Sequence, residues 1–259
     1  ALRMAADDGL VDVVGAWSHM SRADDPSEAG NASTASHVRI FEEGLAILAD
    51  AGVTPRIRHL SATSGILWHR EAHYDMVRAG IGLYGLSPDP AVATSEQLGL
   101  TPALELRAPL TSVKVIEEGT PASYGGTWVA PTRRWIGLVP LGYGDGILRA
   151  ASNQARVVVH TASGPFNAPL IGRVCMDQFM VDLGPAEGSP GTPTARSGQA
   201  PAIPGDIATL FGSGIGGEAL ADDWAQAAGT INYEIVTHLG AHIPRIYRDG
   251  ADATFGSNS

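Results

Sequence analysis

The arrangement of apolar residues changes along the chain, and this change restricts the fold more than any other feature. Up to residue 86, short apolar segments alternate with segments whose apolar residues recur at helical spacing. Small polar residues at 24–36 predict a loop. We expect a buried strand at residues 11–17, further strands at 57–61 and 76–86, a helix at 38–51 and a helical turn at 64–68. This alternation predicts parallel βα units whose strand ends face one common site.

From residue 103 onward, strands and turns replace this alternation. Turn-forming residues separate predicted strands at 103–116, 135–139, 155–159, 168–174, 179–183 and 207–211, and only residues 218–228 predict a helix. We therefore expect a domain boundary within residues 88–101 and divide the chain into residues 1–98 and 99–259. Residues 184–205, rich in Pro and Gly, predict a loop, and the small polar residues 250–259 predict a frayed end.

Composition and charge exclude several classes of protein. The 259 residues are 44% apolar and 17% charged, which is typical of globular domains. The net charge of −10 argues against a nucleic-acid partner, which requires a basic surface. No apolar run approaches the ~18 residues of a membrane span, and no signal peptide is visible. For this reason we expect no membrane partner. Because Cys175 is the only cysteine, we expect no internal disulfide and a reducing, cytoplasmic location.

The most unusual local sequence is HYDMVRAGIGLYG at residues 73–85. Glycines this dense in an apolar run let the backbone approach a ligand, and free N–H groups beside glycine commonly hold a phosphate. Arg78 precedes these glycines and is a donor that stays charged. Taken alone, the segment predicts either a phosphate site or a buried strand with one surface arginine.

The same segment resembles the part of alanine racemases that carries an arginine and the phosphate-binding backbone for pyridoxal phosphate. Further segments resemble that family in the same order: AWSHMSRAD at 16–24, ASYGGTW at 122–128, GRVCMDQFMVDLG at 172–184 and TINYE at 230–234. The resemblance implies an α/β fold in which residues 1–98 form the C-terminal part of a TIM-type (β/α)8 barrel and bind the cofactor. It implies that residues 99–259 form a β-rich domain with the catalytic tyrosine.

The resemblance assigns the cofactor contacts residue by residue. Arg78 matches the residue that hydrogen-bonds the pyridine nitrogen of pyridoxal phosphate, and because arginine only donates, that nitrogen stays unprotonated. Gly80 and Ile81 match backbone amides that hold the phosphate. Tyr233 matches a tyrosine that reaches the phosphate, the alternative being a core tyrosine with a satisfied hydroxyl.

One departure from the family leaves a phosphate contact open. The family usually has Asn-Ser-Ala where residues 62–64 of this chain are Ala-Thr-Ser. Thr63 stands at the position of the serine and keeps a hydroxyl donor, and Ser64 is the neighbouring substitute. The resemblance therefore implies that either Thr63 or Ser64 contacts the phosphate.

The resemblance also implies catalytic and substrate-binding residues. Tyr124 matches the tyrosine that takes or gives the Cα proton on one face of the substrate, and His19 matches a histidine that hydrogen-bonds this tyrosine, with Arg78 beyond it. The alternative for His19 is a structural or solvated residue at a strand end. Met176 belongs to a loop whose backbone touches the substrate carboxylate. The residues matching the substrate entrance are Asp24, Tyr143, Arg149, Arg173 and Ile231, and the alternative for the charged ones is a surface ion pair.

The second acid–base group of the family does not match any residue here. In alanine racemases it is the lysine that carries the cofactor, and Lys114, the only lysine, lies ten residues before Tyr124 in a segment that does not match. We therefore expect these residues to be the C-terminal two-thirds of a longer protein.

The function that the resemblance implies is interconversion of L- and D-alanine by a tyrosine and a lysine. The product D-alanine would supply cell-wall peptidoglycan. The implied assembly is a homodimer with shared active sites, and no metal is expected. The alternatives are a non-catalytic or truncated pyridoxal-phosphate-binding paralogue, and a racemase for serine or a broad range of amino acids.

Overall fold

The computed structural model describes residues 2–186 and 200–248. It divides the chain into two compact units, Ala1–Thr101 and Pro102–Ser259. The predictions for residues 250–259, and for residues 187–199 of the predicted loop at 184–205, lie outside the described residues. No helix within the described ranges is long and apolar enough to cross a membrane.

The first unit alternates helices and strands, as the sequence predicts. In chain order it contains α1 (Leu2–Asp7), β1 (Gly15–Trp17), α2 (Glu28–Asp50), β2 (Ile57–His59) and α3 (Thr63–Trp68). Strands β1 and β2 are parallel, with Gly15 opposite Ile57 and Trp17 opposite His59. Gly15 permits this close pairing, because a Cβ there would lie 2.7 Å from the carbonyl oxygen of Ile57. The prediction that the first strand is buried is wrong, since Trp17 is 65% exposed.

Helix α2 begins ten residues before its predicted start at residue 38, so most of the predicted loop at residues 24–36 is helical. The hydroxyl of Ser27 caps the helix by accepting from the amide of Gly30 at 3.1 Å. Gly30 and Thr34 are buried, and a Cβ at Gly30 would lie 2.2 Å from the carbonyl oxygen of Asp25. The small residues of this segment therefore serve close packing and helix capping.

The predicted strand at residues 76–86 is also wrong. Its backbone forms one isolated parallel bridge, between Arg78 and Ala62, and then a 3₁₀ turn at Ile81–Tyr84. The turn ends at Gly85, whose φ of 71° lies in the left-handed region that glycine adopts without strain. The glycines thus turn the chain immediately after Arg78.

A small core holds the first unit together. Phe41 of α2 packs with Met20, Leu60 and Ala72, all of them buried. The ring of Tyr74 meets Phe41 edge-on, with the ring centres 5.0 Å apart. Two of its members, Met20 and Leu60, belong to the segments that follow β1 and β2, and these segments also contain His19 and Thr63.

The second unit is built on an antiparallel seven-stranded sheet, and the β-rich prediction is correct. Its strands are β3 (Leu106–Pro109), β4 (Ser112–Ile116), β5 (Pro121–Ala122), β6 (Trp128–Val129), β7 (Arg134–Val139), β8 (Arg156–Thr161), β9 (Gly164–Ile171), β10 (Phe179–Pro185) and β11 (Ile207–Phe211). The order across the large sheet is β3-β11-β8-β9-β10-β7-β4, while β5 and β6 form a separate hairpin. Val157, Val159, Val181 and Leu210 are fully buried and form part of its core. The predicted strand at 103–116 is two strands, divided at residues 110–111.

Two helices follow the large sheet. They are α4 (Ala221–Ala228), within the predicted helix at 218–228, and α5 (Asn232–Thr237), which the sequence prediction lacks. Helix α5 has six residues, and its N-cap residue, Ile231, makes no side-chain hydrogen bond to the helix. A helix without a polar cap residue lacks the sequence signal by which a helix start is recognised.

Candidate active site

The guanidinium of Arg78 is held by acceptors that follow β1 and β2. Its Nη2 lies 3.0 Å from the carbonyl oxygen of Ser18 and 3.1 Å from that of Leu60. Nη2 also lies 3.0 Å from Nδ1 of His19, and Nη1 lies 3.0 Å from Nδ1 of His59. Nε–H and the second Nη1–H have no partner within the described part of the chain. The side chain is thus fixed in direction and keeps two donors for a ligand.

Both histidines have a defined tautomer beside Arg78. A guanidinium has only N–H donors, so each ring accepts through Nδ1 and carries its hydrogen on Nε2. Partial burial and the positive charge of Arg78 lower the pKa of His59. The ring of Trp17 stacks on His59 with centres 6.0 Å apart, and Cζ of Arg78 lies 5.3 Å from the Trp17 ring centre. Together these contacts restrict the orientation of the Arg78 guanidinium.

The backbone before Arg78 is fastened to β2 by an ion pair. The carboxylate of Asp75 accepts from the backbone amide, Nε and Nη2 of Arg58 at 2.8, 2.7 and 2.9 Å. These hydrogen bonds from Arg58 lower the pKa of Asp75 to about 2. The amide of Arg78 itself donates to the carbonyl oxygen of Ser61 at 2.9 Å. The position of Arg78 is therefore set by β2 and the segment after it.

Thr63 connects the start of α3 to the glycine-rich turn. Its Oγ1 accepts from the amide of Gly80 at 3.1 Å and, more weakly, from that of Gly82 at 3.4 Å. With both lone pairs engaged, the hydroxyl still offers its hydrogen to an acceptor. A Cβ at Gly82 would lie 2.9 Å from Cγ2 of Thr63, whereas one at Gly80 would meet nothing within 4 Å. Among the described contacts, neither glycine amide donates to Ser64.

In the second unit, Tyr124 stands at the tip of the β5–β6 hairpin. Ser123, Gly125 and Gly126 on either side of it have φ values of 62°, 74° and 54°. Positive φ values at neighbouring positions are typical of a tight turn. Tyr124 is 74% exposed. A Cβ at Gly125 would lie 3.4 Å from Cζ of Arg173, so the turn packs on that guanidinium.

Met176 and Tyr143 lie on two paired turns. The amide of Tyr143 donates to the carbonyl oxygen of Cys175 at 2.9 Å, and that of Gly144 donates to the carbonyl oxygen of Met176 at 2.8 Å. Gly142 allows this contact, because a Cβ there would lie 2.3 Å from both carbonyl oxygens. The side chains of Met176 and Tyr143 are both exposed.

The remaining matched residues of the second unit lie on neighbouring segments. Arg149 is exposed and begins a 3₁₀ turn against which α4 packs, and α4 also packs on α5. Ile231 is exposed before α5, and Tyr233 is half-buried within it. The end of α5 meets the Tyr143 turn, since a Cβ at Gly146 would lie 2.1 Å from the carbonyl oxygen of His238. These residues therefore belong to one group of adjoining turns.

The matched residues thus form one group in each unit. His19, Thr63, Arg78, Gly80 and Ile81 are brought together in the first unit, and the exposed Asp24 lies between β1 and α2. Sequence reasoning missed His59, which holds Arg78 as His19 does. Its signal is a histidine in or just after each of two consecutive predicted strands, which parallel pairing would place near each other.

The fold and the two groups define a class: the latter part of an α/β barrel joined to a β-rich domain. Family models match both units: "Alanine racemase, N-terminal domain" at residues 1–88 and "Alanine racemase, C-terminal domain" at residues 103–247. The chain belongs to the alanine racemase family, which confirms the resemblance seen in the sequence.

Individual relatives agree with this assignment. The alanine racemase of Salinispora tropica is 42% identical over 95% of this chain and 60% of its own length. The alanine racemase of Streptomyces coelicolor is 43% identical over 95% of this chain and 58% of its own length. The chain thus spans about 60% of the length of the curated relatives that it matches.

Solved structures have the same fold. The alanine racemase structure from Streptomyces coelicolor matches with a TM-score of 0.81 at 41% identity, covering 94% of this chain and 58% of the other. The one from Streptomyces lavendulae, a producer of D-cycloserine, matches with a TM-score of 0.84 at 39% identity, covering 96% and 60%. A structure from Bacillus anthracis with bound L-Ala-P has a TM-score of 0.78 at 29% identity, with 96% and 58% covered.

Proposed function

We propose that the protein containing this chain interconverts L- and D-alanine with pyridoxal phosphate as its cofactor. The observation that carries the proposal is the anchored guanidinium of Arg78, which two histidines and two carbonyl oxygens hold while two N–H donors remain for a ligand. Membership of a family whose curated members are named alanine racemase supports the choice of reaction and substrate. The proposal includes the supply of D-alanine for peptidoglycan and a cytoplasmic location.

The residues of the first unit fit the two ends of pyridoxal phosphate. Arg78 offers donors and no acceptor, so it suits an unprotonated pyridine nitrogen. Thr63 offers a hydroxyl hydrogen, and the open space at Gly80 lets a phosphate approach the backbone amide of Ile81. We propose Tyr233 as a further phosphate ligand. Between the adjacent hydroxyls of Thr63 and Ser64, we propose that of Thr63 as the phosphate ligand, because it already accepts from the amides of Gly80 and Gly82.

Proton transfer is assigned to the chain's own residues. When bound, pyridoxal phosphate withdraws electrons from the substrate's Cα and so makes its proton removable. Tyr124 takes or gives this proton on one face of the substrate, and Nε2–H of His19 is the donor proposed to stabilise its phenolate. The second group is proposed to be a lysine outside these residues, because Lys114 is exposed on β4 and pairs with Ile136 of β7.

The proposed assembly is a homodimer. In it, Tyr124 of one subunit serves the Arg78 group of the other, and the backbone at Met176 receives the substrate carboxylate. Tyr143, Arg149, Arg173, Ile231 and Asp24 are proposed to line the entrance, where the arginines would attract a carboxylate substrate. The proposal accounts for the exposure of Tyr124, whose ring would be covered by the substrate site of the partner.

The test measures D-alanine formed from L-alanine by the full product of the gene, with pyridoxal phosphate added. Chiral chromatography should show D-alanine until the enantiomers are equal, and Arg78→Ala should abolish its formation. Arg56→Ala is the matched control, because Arg56 forms an exposed ion pair with Asp12 and should leave the rate unchanged. Cofactor binding without turnover would identify a non-catalytic paralogue. Faster turnover of L-serine than of L-alanine would identify the broader racemase.

A further inference from the structure

In the described part of the second unit, two residues other than glycine have positive φ, and both contact the segment that begins at Gly172. Among the described residues other than glycine, only Tyr74, Ser123 and Asn153 have positive φ, and the last two share the value of 62°. Ser123 directly precedes Tyr124, and Asn153 follows the Arg149 turn. Residues held in such conformations persist only where the surrounding structure fixes them, and they are frequent at functional sites.

The side-chain amide of Asn153 joins two separate segments. Its Oδ1 accepts from the amide of Gly172 at 2.6 Å, and its Nδ2 donates to Oγ1 of Thr127 at 3.1 Å. The backbone amide of Gly172 can only donate, so the orientation of the Asn153 side chain is determined. Thr127 belongs to the turn that carries Tyr124, and Gly172 begins the segment that leads to Met176. The Asn153 side chain thus connects the Tyr124 turn with the segment that leads to Met176.

Two further contacts tighten the same junction. The hydroxyl of Ser123 donates to the carbonyl oxygen of Arg173 at 2.7 Å. A Cβ at Gly172 would lie 2.7 Å from Cβ of Ser123, so the segments touch directly at this point. The hydroxyl of Ser152 accepts from the amide of Val174 at 3.0 Å, which attaches the Asn153 segment to the same strand connection. The hairpin tip is therefore held from one side by Ser123 and from the other by Asn153.

We propose that Asn153 is a positioning residue for Tyr124, and that its amide sets the distance between the tyrosine hydroxyl and the substrate held near Met176. The inference rests on the proposed function, because it takes Tyr124 as the proton-transferring group. Asn153 does not touch the substrate in this proposal. It acts by fixing the distance and orientation between the Tyr124 turn and the segment at 172–176. The rate of proton transfer depends steeply on this geometry.

Three substitutions test the hydrogen bonds of the Asn153 side chain separately from its backbone conformation. Asn153→Gly tolerates the positive φ while removing both side-chain hydrogen bonds, and it is the least disruptive deletion available. Asn153→Asp retains the acceptor for Gly172, and its second carboxylate oxygen can accept from the Thr127 hydroxyl, so this variant should keep the bridge. Thr127→Val removes the hydroxyl partner of this bridge. Thr161→Val is the matched control, because the Thr161 hydroxyl also organises a turn of this unit, at the far end of the β8–β9 hairpin.

The first measurement uses the intact holoenzyme with alanine deuterated at Cα, in both directions. Asn153→Gly should lower kcat by on the order of 10-fold to 100-fold, with KM changed by less than about 2-fold. The isotope effect should rise for the enantiomer whose Cα hydrogen Tyr124 removes and fall for the other, because only the tyrosine step slows. Thr127→Val and Asn153→Gly should have non-additive effects, whereas Asn153→Asp should have a smaller one. A mere loss of folded protein would lower kcat and leave both isotope effects unchanged.

The second measurement does not require activity. With 3-fluorotyrosine at position 124, the ¹⁹F resonance of the cofactor-free protein should be single and sharp, and it should broaden or split in Asn153→Gly but not in Thr161→Val. A spectrum unchanged by Asn153→Gly, or a fall in kcat with unaltered isotope effects, would overturn the inference. If the protein racemises nothing but the resonance responds as expected, Asn153 still positions Tyr124 and the proposed function is wrong.

Discussion

Arg78 donates from Nη1 to Nδ1 of His59 across 3.0 Å, and this contact joins the candidate ring-binding arginine to strand β2. His59 stands beside Trp17 of β1 in the parallel register. Arg78 is thus held by His19, two residues after the end of β1, and by His59, the last residue of β2.

Removing the His59 ring should loosen Arg78 and weaken cofactor binding. In His59→Ala we expect the dissociation constant for pyridoxal phosphate to rise roughly 10-fold, because a hydrogen bond to a charged group contributes about 1.5 kcal/mol. A fluorescence titration of the cofactor-free protein measures this constant. His37→Ala removes a histidine whose described hydrogen bond is to Ser33 of its own helix, and it should leave the constant unchanged. An equal loss in both variants would contradict a specific role for His59.

The pKa of His59 leads to a prediction for stability against pH. Burial and Arg78 lower this pKa from its ordinary value of 6.5, so the unfolded chain binds the proton more readily than the folded one. The free energy of unfolding should therefore decrease as the pH falls below about 6.5, and the decrease should end below the folded pKa. Urea denaturation across this range measures the effect. His59→Ala should flatten the pH dependence; an unchanged slope would contradict the assignment.

Thr63 allows a direct test of the choice between the two adjacent hydroxyls. Thr63→Val leaves the amides of Gly80 and Gly82 without their acceptor, which costs about 1–3 kcal/mol. We expect cofactor affinity to fall at least 10-fold, Thr63→Ser to restore most of it, and Ser64→Ala to change it little. Isothermal titration with pyridoxal phosphate measures all three. A large loss in Ser64→Ala alone would transfer the phosphate contact to Ser64.

Helix α2 provides a test of the fold that is independent of function. Ser27→Ala removes the N-cap hydroxyl and should lower the free energy of unfolding by about 1 kcal/mol. Ser33→Ala, inside the same helix, should raise it slightly, because alanine has the higher helix propensity. Urea denaturation followed by circular dichroism measures both changes. Effects of the same sign would contradict a helix start at Glu28.

The sequence predicted strongly patterned elements better than capped or glycine-rich ones. The strands from β7 to β11 are recognisable because apolar runs alternate with turn residues. The start of α2 was missed because Ser27, Gly30 and Thr34 look like loop residues until their packing is known. The segment around Arg78 looked like a strand, yet it forms one bridge and a turn, since its backbone partners come from residues 61–63.

The candidate site shows the same limit. The resemblance to the family identified Arg78 and Tyr124 as residues of interest, through the segments at 73–85 and 122–128. The roles of His59 and Asn153 depend on contacts between residues 19 and 26 positions apart, and no local pattern encodes such distances. Residues that hold the site are therefore harder to predict than residues that line it.

The strand order of the second unit affects how easily a strand of another molecule can pair with the edges of its sheet. Strands β3 and β4, at the two ends of the order, are consecutive in the chain and are joined by residues 110–111. The three peptide steps from Pro109 to Ser112 span at most about 11 Å, so the chain ties the two margins of the sheet together at that corner. A foreign strand seeking to extend the sheet there would have to compete with this covalent tether. This tether and the exposed Lys114 of the edge strand β4 both oppose edge-to-edge aggregation of the domain.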